Sequence, residues 1–311
     1  MSKVKETIKI ILVVAVLAVG VFFGVNYLLH PQNESATTTP TTTKKTTAKK
    51  TPHKAKINLV AVGDSLTEGV GDESEGGYVG QIKKTLTTKQ KLKVTTTNAG
   101  KSGDRSDQIL ARINKSKVLQ QKIAKADVIT VTVGGNDLLQ TLEGSLTSNN
   151  TAKNNATVAK AQTLYANKLT KLFNKLQSLN GTASVFVFSI YNPIYVNFPN
   201  VTSITHYISQ WNDQTQTTVS QYKHTYFMDI NWTMSHGQYK TAAQIRKLKK
   251  AASATTLTSS KAITGALETE NKTNDLISTA DNFHPNKWGY RVFTTKLYQT
   301  MMAHDAWLIK K

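Results

Sequence analysis

Four short polar stretches carry side chains or backbone positions suited to moving a proton or holding developing charge. They are Gly63-Asp64-Ser65-Leu66-Thr67-Glu68-Gly69, Asn98-Ala99-Gly100-Lys101-Ser102-Gly103, Gly134-Gly135-Asn136-Asp137 and Asp281-Asn282-Phe283-His284-Pro285. A serine hydroxyl is a poor nucleophile until a base removes its proton, and histidine is the side chain best matched to that task near neutral pH. Asp281, three residues before His284, can accept the Nδ1–H and fix the tautomer. Charge then develops on a substrate carbonyl oxygen and needs preorganised donors. The backbone N–H groups of Ser65 and Gly100 and the side-chain amide of Asn136 suit that need. Glycine at position 100 lets the backbone come close to a substrate. The chemistry expected is acyl transfer with protein groups alone, so no metal and no organic cofactor is implied.

Taken singly, each residue has a plainer reading: Ser65 as a helix N-cap, Gly100 as a turn glycine, Asn136 or Asp137 as another cap. Their joint occurrence favours the catalytic reading. Asp64 and Asp137 are expected to support their loops, while Thr67 and Glu68 stand close enough to meet substrate. His206, His224, His236 and His304 lack an accompanying carboxylate motif and read as surface or core residues. Gly100-Lys101-Ser102 could end a phosphate-binding loop, but Thr95 stands where that motif needs its first glycine. No His-Glu-x-x-His and no Gly-x-Ser-x-Gly occurs, and with no cysteine there is neither a thiol nucleophile nor a cysteine-ligated metal.

The elements that must position these loops are legible in the apolar pattern. Strand-like runs fall at Ile57–Val62, Lys93–Thr97, Val128–Val133, Ser184–Ile190 and Thr225–Ile230. Helix-like segments fall near Val79–Thr87, Ser106–Ile123, Ala156–Leu179 and Ser203–Gln221. In the third, Ala161, Tyr165, Leu169, Leu172, Phe173, Leu176 and Leu179 share one helical face. A C-terminal helix starts near Pro285, with Trp288, Val292 and Met301 on its apolar side. Several strands are apolar on both faces, as in a parallel sheet covered by helices. The alternation predicts a three-layer α/β/α sandwich with a mainly parallel five-stranded sheet, flavodoxin-like in outline. Such sheets bind ligands beyond the carboxyl ends of their strands, which is where the first three polar loops lie.

These blocks resemble the SGNH/GDSL hydrolases. Ser65 in Gly-Asp-Ser-Leu, Gly100 in Asn-x-Gly, Asn136 in Gly-x-Asn-Asp, and Asp281 with His284 in Asp-x-x-His appear in family order and span most of residues 57–311. The resemblance implies Ser65 as nucleophile, His284 as base, Asp281 as its partner, and Gly100 and Asn136 as oxyanion donors with Ser65. It implies an ester hydrolase, of the membrane-anchored lipase/acylhydrolase kind found in Gram-positive bacteria.

Upstream, residues 1–9 form a basic tail, and Ile10–Leu29 is a 20-residue stretch without a charge. At about 1.5 Å per residue a helix of that length spans a bilayer core. The preceding lysines place the N-terminus in the cytoplasm and the rest of the chain outside. Secretion after signal cleavage is the alternative; the length of the run and the lack of a small-residue cleavage site favour an anchor. Residues 30–56, rich in Thr, Lys and Pro, read as a disordered tether to a hydrolase domain at 57–311.

The whole chain has 311 residues and a formal charge of +20. That excess suits an anionic lipid surface or cell-envelope polymer, and no nucleic-acid-binding motif accompanies it, so nucleic acid is not an expected partner. The expected substrate is a lipid or cell-envelope ester. An O-acetyl polysaccharide esterase is the alternative enzyme, and a non-catalytic envelope-binding protein the alternative of another class. Asn231–Ala280 is the least legible stretch; within it Thr241–Ser253 reads as a basic amphipathic helix that is either solvated or rests on anionic lipid or over the site.

Overall fold

The computed structural model describes residues 52–72, 74–145, 151–252 and 274–310. The basic tail, the apolar stretch Ile10–Leu29 and the tether as far as Thr51 lie outside them. Among the described residues no helix is long and apolar enough to cross a membrane.

Five strands, β1 (Lys56–Gly63), β2 (Lys93–Gly100), β3 (Val128–Val131), β4 (Ser184–Phe188) and β5 (Thr225–Met228), form one sheet in the order β2-β1-β3-β4-β5. Every pairing is parallel. The chain steps from β1 to β2 on one side, then crosses to β3 on the other. Their carboxyl ends therefore part around a switch point, where such sheets hold ligands. Gly63 is in register with Gly100, and Val62 with Val131, so the loops after β1, β2 and β3 leave from one edge.

Alternation along β1 divides the core. Val60 and Val62 face a cluster with Ile109, Ile113, Leu169, Phe173 and Trp211, whereas Leu59 and Ala61 face Tyr78, Ile82, Phe188, Phe293 and Leu297. The first face is covered by α3 (Ser106–Lys115), α4 (Lys117–Ala124), α5 (Gly135–Ser145), α6 (Thr151–Leu179) and α7 (Thr202–Val219). The second is covered by α2 (Gly77–Gln90) and α10 (Lys287–Ala303). Short helices α1 (Ser65–Glu68), α8 (Asn231–His236) and α9 (Ala242–Ala251) complete the fold, with a 3₁₀ turn at Asp305–Leu308. In α6 the expected stripe is the buried one: Tyr165, Leu169, Leu172, Phe173 and Leu176 are all core residues.

Four local expectations are corrected. The single helix expected at Ser106–Ile123 is two, because the Ser116 hydroxyl accepts from Leu119 N–H at 3.1 Å and starts a new helix. Trp288 is 56% exposed, and the inner face of α10 is Tyr290, Phe293, Leu297 and Met301. The residue that starts it is the cap Asn286 rather than Pro285, the Asn286 Oδ1 accepting from Trp288 and Gly289 N–H at 2.8 and 3.1 Å, and the helix itself begins at Lys287. Finally, the last residues assigned to the tether belong to the domain. Lys54 N–H donates to Leu308 O, Lys310 N–H donates to Pro52 O, and Lys54 Nζ pairs with Asp127 at 2.6 Å.

Candidate active site

The loop that carries Ser65 is fixed from below by the sheet. Asp64 caps α1, its Oδ1 accepting from Leu66 N–H at 3.0 Å and from the Thr132 hydroxyl at 2.7 Å. Thr67 Oγ1 lies 2.8 Å from Thr132 Oγ1 and 2.9 Å from the Tyr78 hydroxyl, which lies 3.0 Å from Thr130 Oγ1. All five side chains are buried. Burial raises the Asp64 carboxyl above its ordinary value, opposed by the bonds from Thr132 and Leu66. Asn98 Nδ2 donates to Thr67 O at 2.7 Å and joins α1 to the end of β2. Ser65 therefore stands as the first residue of a pinned helical turn at the switch point, 6% exposed.

His284 arrives on a tight turn. Asp281 Oδ1 accepts from the N–H groups of Phe283 and His284 at 2.9 and 3.0 Å, and its Oδ2 lies 2.6 Å from His284 Nδ1. On the other side of the ring, Nε2 lies 2.9 Å from Ser65 Oγ. Burial would raise Asp281, but the bonds from the His284 ring and from the two N–H groups outweigh it and hold the carboxyl below its ordinary value. The turn is docked by Tyr191, whose hydroxyl donates to Phe283 O at 2.9 Å, and by Ser278 N–H to His284 O at 2.8 Å.

The oxyanion donors expected from sequence fare unequally. Asn136 opens α5, and its Nδ2 donates to Asp104 O at 3.0 Å, leaving the second amide hydrogen for a ligand. Ser65 N–H is at the first position of α1, where helical N–H groups have no intrahelical acceptor. Gly100 is corrected: its N–H is already given to Asn98 Oδ1 at 2.9 Å. A Cβ there would collide with the Glu68 backbone, so this glycine admits α1 against β2. A second glycine of the same block, not singled out from sequence, is Gly103. It has φ +81° with open space where a side chain would point, and it precedes Asp104, whose carbonyl Asn136 holds. Gly103 ends the same block, and backbone angle, free space and the Asn98–Gly100 bond separate the two glycines.

Two supporting residues were also missed or only partly read. Arg112, on α3, donates to Ala99 O at 2.9 Å and Gly63 O at 2.8 Å and pairs with Asp104, tying together the ends of β1 and β2. Asp137 accepts from the Ser106 N–H and hydroxyl at 2.9 and 2.7 Å, which fixes the start of α3. Glu68 accepts from Ser102 N–H at 2.6 Å, and Thr67 points down into the hydroxyl network. Thr67 is thereby buried away from any substrate.

A narrow cleft at Ser65, lined also by Leu66, Asn136 and Phe283, shares Gly135, Ile190, Tyr191 and Pro193 with a cavity of about 300 Å³. That cavity is walled mostly by apolar side chains, Leu138, Leu139, Leu142, Ile194, Ile204 and Ile208 from α5, α7 and the loop after β4, with Glu143, Asn192 and Asp281 also in its lining. Among the described residues no group of three His, Asp or Glu side chains is placed to hold a metal ion. The arrangement can pass a proton from a hydroxyl to an imidazole, hold an oxyanion, and accept an apolar chain beside the reacting carbonyl.

Residues 61–292 match the family model described as the GDSL-like lipase/acylhydrolase family. The protein YpmR of Bacillus subtilis is 28% identical over 252 residues, covering 81% of this chain and 84% of that one. The spore germination lipase LipC of Bacillus licheniformis is 42% identical over 88 residues, 28% of this chain and 41% of that one. Among solved structures, the lipase Lip_vut3 from a goat rumen metagenome superposes with a TM-score of 0.57 at 24% identity, covering 78% of this chain and 96% of its own. An acetyl-xylooligosaccharide esterase from Geobacillus gives 0.50 at 15% identity, with coverages of 82% and 97%. These two likenesses bear on the fold.

Proposed function

The chain belongs to the GDSL-like lipase/acylhydrolase family and is an ester hydrolase, and on that premise we propose that Ser65, His284 and Asp281 hydrolyse a carboxylic ester through an acyl-enzyme. The observation that carries this reading is the unbroken Ser65 Oγ–His284–Asp281 contact chain, with spacings of 2.9 and 2.6 Å.

In this reading Ser65 Oγ attacks the ester carbonyl carbon while its proton passes to His284 Nε2. The carbonyl electron pair moves onto oxygen, where the Ser65 N–H, the Asn136 amide and the Gly103 N–H receive it. Collapse of the adduct expels the alcohol, which takes the proton from His284. A water then attacks the acyl-enzyme by the same route and releases the acid. Asp281 keeps Nδ1–H oriented and offsets the positive charge on the ring.

The substrate we propose is a lipid or cell-envelope ester bearing an acyl chain longer than acetyl. An acetyl group needs roughly 60 Å³, two water volumes, whereas the apolar cavity beside Ser65 offers about 300 Å³. The uncharged stretch Ile10–Leu29 supports a membrane-anchored protein with its catalytic domain outside the cell.

Hydrolysis of a p-nitrophenyl ester series by the full chain, beside Ser65→Ala and His284→Ala, tests both parts. Turnover that rises from acetyl to medium chains and vanishes in both variants is expected. An acetate optimum would favour the O-acetyl esterase. No turnover and no labelling of Ser65 by an organophosphonate would favour the non-catalytic envelope-binding protein.

A further inference from the structure

We propose that the surface formed by α8 and α9 docks the catalytic edge onto an anionic phospholipid bilayer. This deepens the acyl-hydrolase reading, which supplies its purpose; the surface itself is independent of the chemistry.

Residues 231–252 contain Lys240, Arg246, Lys247, Lys249 and Lys250 and not one Asp or Glu. All five cations are exposed, and none makes an ion pair among the described residues. Asp275, whose N–H donates to Gln238, and Asp229, whose Oδ1 accepts from Asn231 N–H at 2.8 Å, are acidic residues alongside among the described ones. Five cations against two carboxylates among the described residues, four of the cations on α9 and Lys240 just before it, make a concentrated positive face.

An exposed aromatic group stands within it. Trp232 is 48% exposed and stacks on His236 at 4.7 Å between ring centroids; His236 in turn meets Tyr195 at 4.1 Å. Leu248 of α9 packs on Tyr195 and Val196, and Lys249 is close enough to His236 to help burial hold its pKa down. Amphipathic indole rings and long cationic chains are the groups that settle at a bilayer's headgroup level. Because Leu248 is spent on Tyr195, α9 has no free apolar stripe to insert, and the contact is a surface one.

Position links this face to the acyl cavity. Asn192 and Ile194, which line the cavity, lie on the loop that α8 and α9 hold: Asn192 N–H donates to the Ser235 hydroxyl at 2.8 Å, and Asn200 Nδ2 donates to Lys249 O at 3.0 Å. Both helices follow the carboxyl end of β5, so they stand at the same sheet edge as Ser65. A bilayer meeting the cations would present its acyl chains beside the cavity wall.

The absence of cysteine allows a single reporter. Ala243→Cys on α9, carrying an environment-sensitive fluorophore, is compared with Gln121→Cys on α4, at the opposite edge. Both are placed in the full chain with Ser65→Ala, reconstituted in phosphatidylcholine nanodiscs with or without 30% phosphatidylglycerol. Docking predicts a blue shift and reduced acrylamide quenching at position 243 with anionic lipid only, reversed by 0.5 M salt and absent at position 121. Each removed cation should weaken docking roughly fivefold, so R246Q/K247Q/K249Q/K250Q abolishes the response, and Trp232→Ala reduces it. An equal response at both positions, or an unchanged response in the four-glutamine variant, overturns the proposal. So does an equal response to soluble polyphosphate, which would mark the face as a polyanion site. Because Ser65 is replaced, the result is read without hydrolysis, and a failure here stands apart from a failure of the esterase reading.

Discussion

The two loops that bring Ser65 and His284 together are built in opposite ways. Ser65 rides on side chains from distant parts of the chain: Thr132, Tyr78, Thr130 and Asn98 all hold its loop, and all the hydroxyls are buried. His284 rides on a turn that closes on itself, with Asp281 serving Phe283 and His284 within three residues. The Asp281 side chain is 37% exposed. Damage to the first loop should therefore register as lost stability as well as lost rate, whereas damage to the second should fall on chemistry with the fold intact.

The largest effects test the junction itself. Ser65→Ala is expected to lower kcat about 10⁴-fold or more with little change in Tm, measured on a soluble ester and by thermal melting. Asp281→Asn should cost about 10²–10⁴-fold in kcat, since the ring loses its anionic partner, while both backbone N–H groups keep an acceptor. If it cost several kcal/mol of stability instead, the self-contained character of the turn would be wrong. Because its folded-state pKa lies below the ordinary value, Asp281 contributes above the usual carboxylate range near pH 4 and is lost as pH falls through its depressed value.

The nucleophile side predicts the reverse balance. Gly100→Ala drives a methyl into the Glu68 backbone and should destabilise by about 1–3 kcal/mol, lowering rate through displacement of α1. Gly103→Ala meets no neighbour and should cost about 1 kcal/mol for its left-handed backbone. Tyr78→Phe leaves Thr67 and Thr130 short of a partner and is expected to cost about 1–2 kcal/mol in a denaturant titration. A Tyr78→Phe variant with unchanged stability and lost rate would blur the contrast. The smallest effect lies away from both loops. Burial opposes ionisation of Asp107, yet its bonds to Arg105 and Lys168 push it down to about 2. The contribution is thus full above about pH 4 and fades as pH falls toward 2; Asp107→Asn should cost about 1 kcal/mol at pH 7 and almost nothing at pH 2.

The sheet was readable from its strand-like runs, and the first three polar blocks because β1, β2 and β3 each lead into a glycine-bearing polar loop, loops that share an edge once the sheet is parallel. What escaped the sequence depends on where a hydrogen bond ends. Gly100 and Gly103 sit three residues apart with the same lack of side chain, and the Asn98 carboxamide, the Glu68 backbone and the left-handed angle at Gly103 tell them apart. Arg112 reads as a solvated helix charge until three chain segments converge on it. Trp288 fell on the apolar side of an approximate helical wheel, but the inward direction of α10 is set by Tyr290 and Phe293 against Tyr78 and Phe188. The apolar cavity is likewise invisible, because its walls come from α5, α7 and a loop far apart in the chain.

The stitch between Pro52–Lys54 and Leu308–Lys310 has a mechanical consequence. It fixes the point where the chain joins the domain at the amino end of β1, and Ser65 follows that strand's carboxyl end, roughly 26 Å away at about 3.3 Å per residue. Tension applied upstream is shared first with the C-terminal segment. It then runs lengthwise into a central strand hydrogen-bonded on both flanks, where bonds to β2 and β3 must slide together rather than peel one by one. The domain can thus be pulled hard at its foot while the catalytic edge keeps its shape.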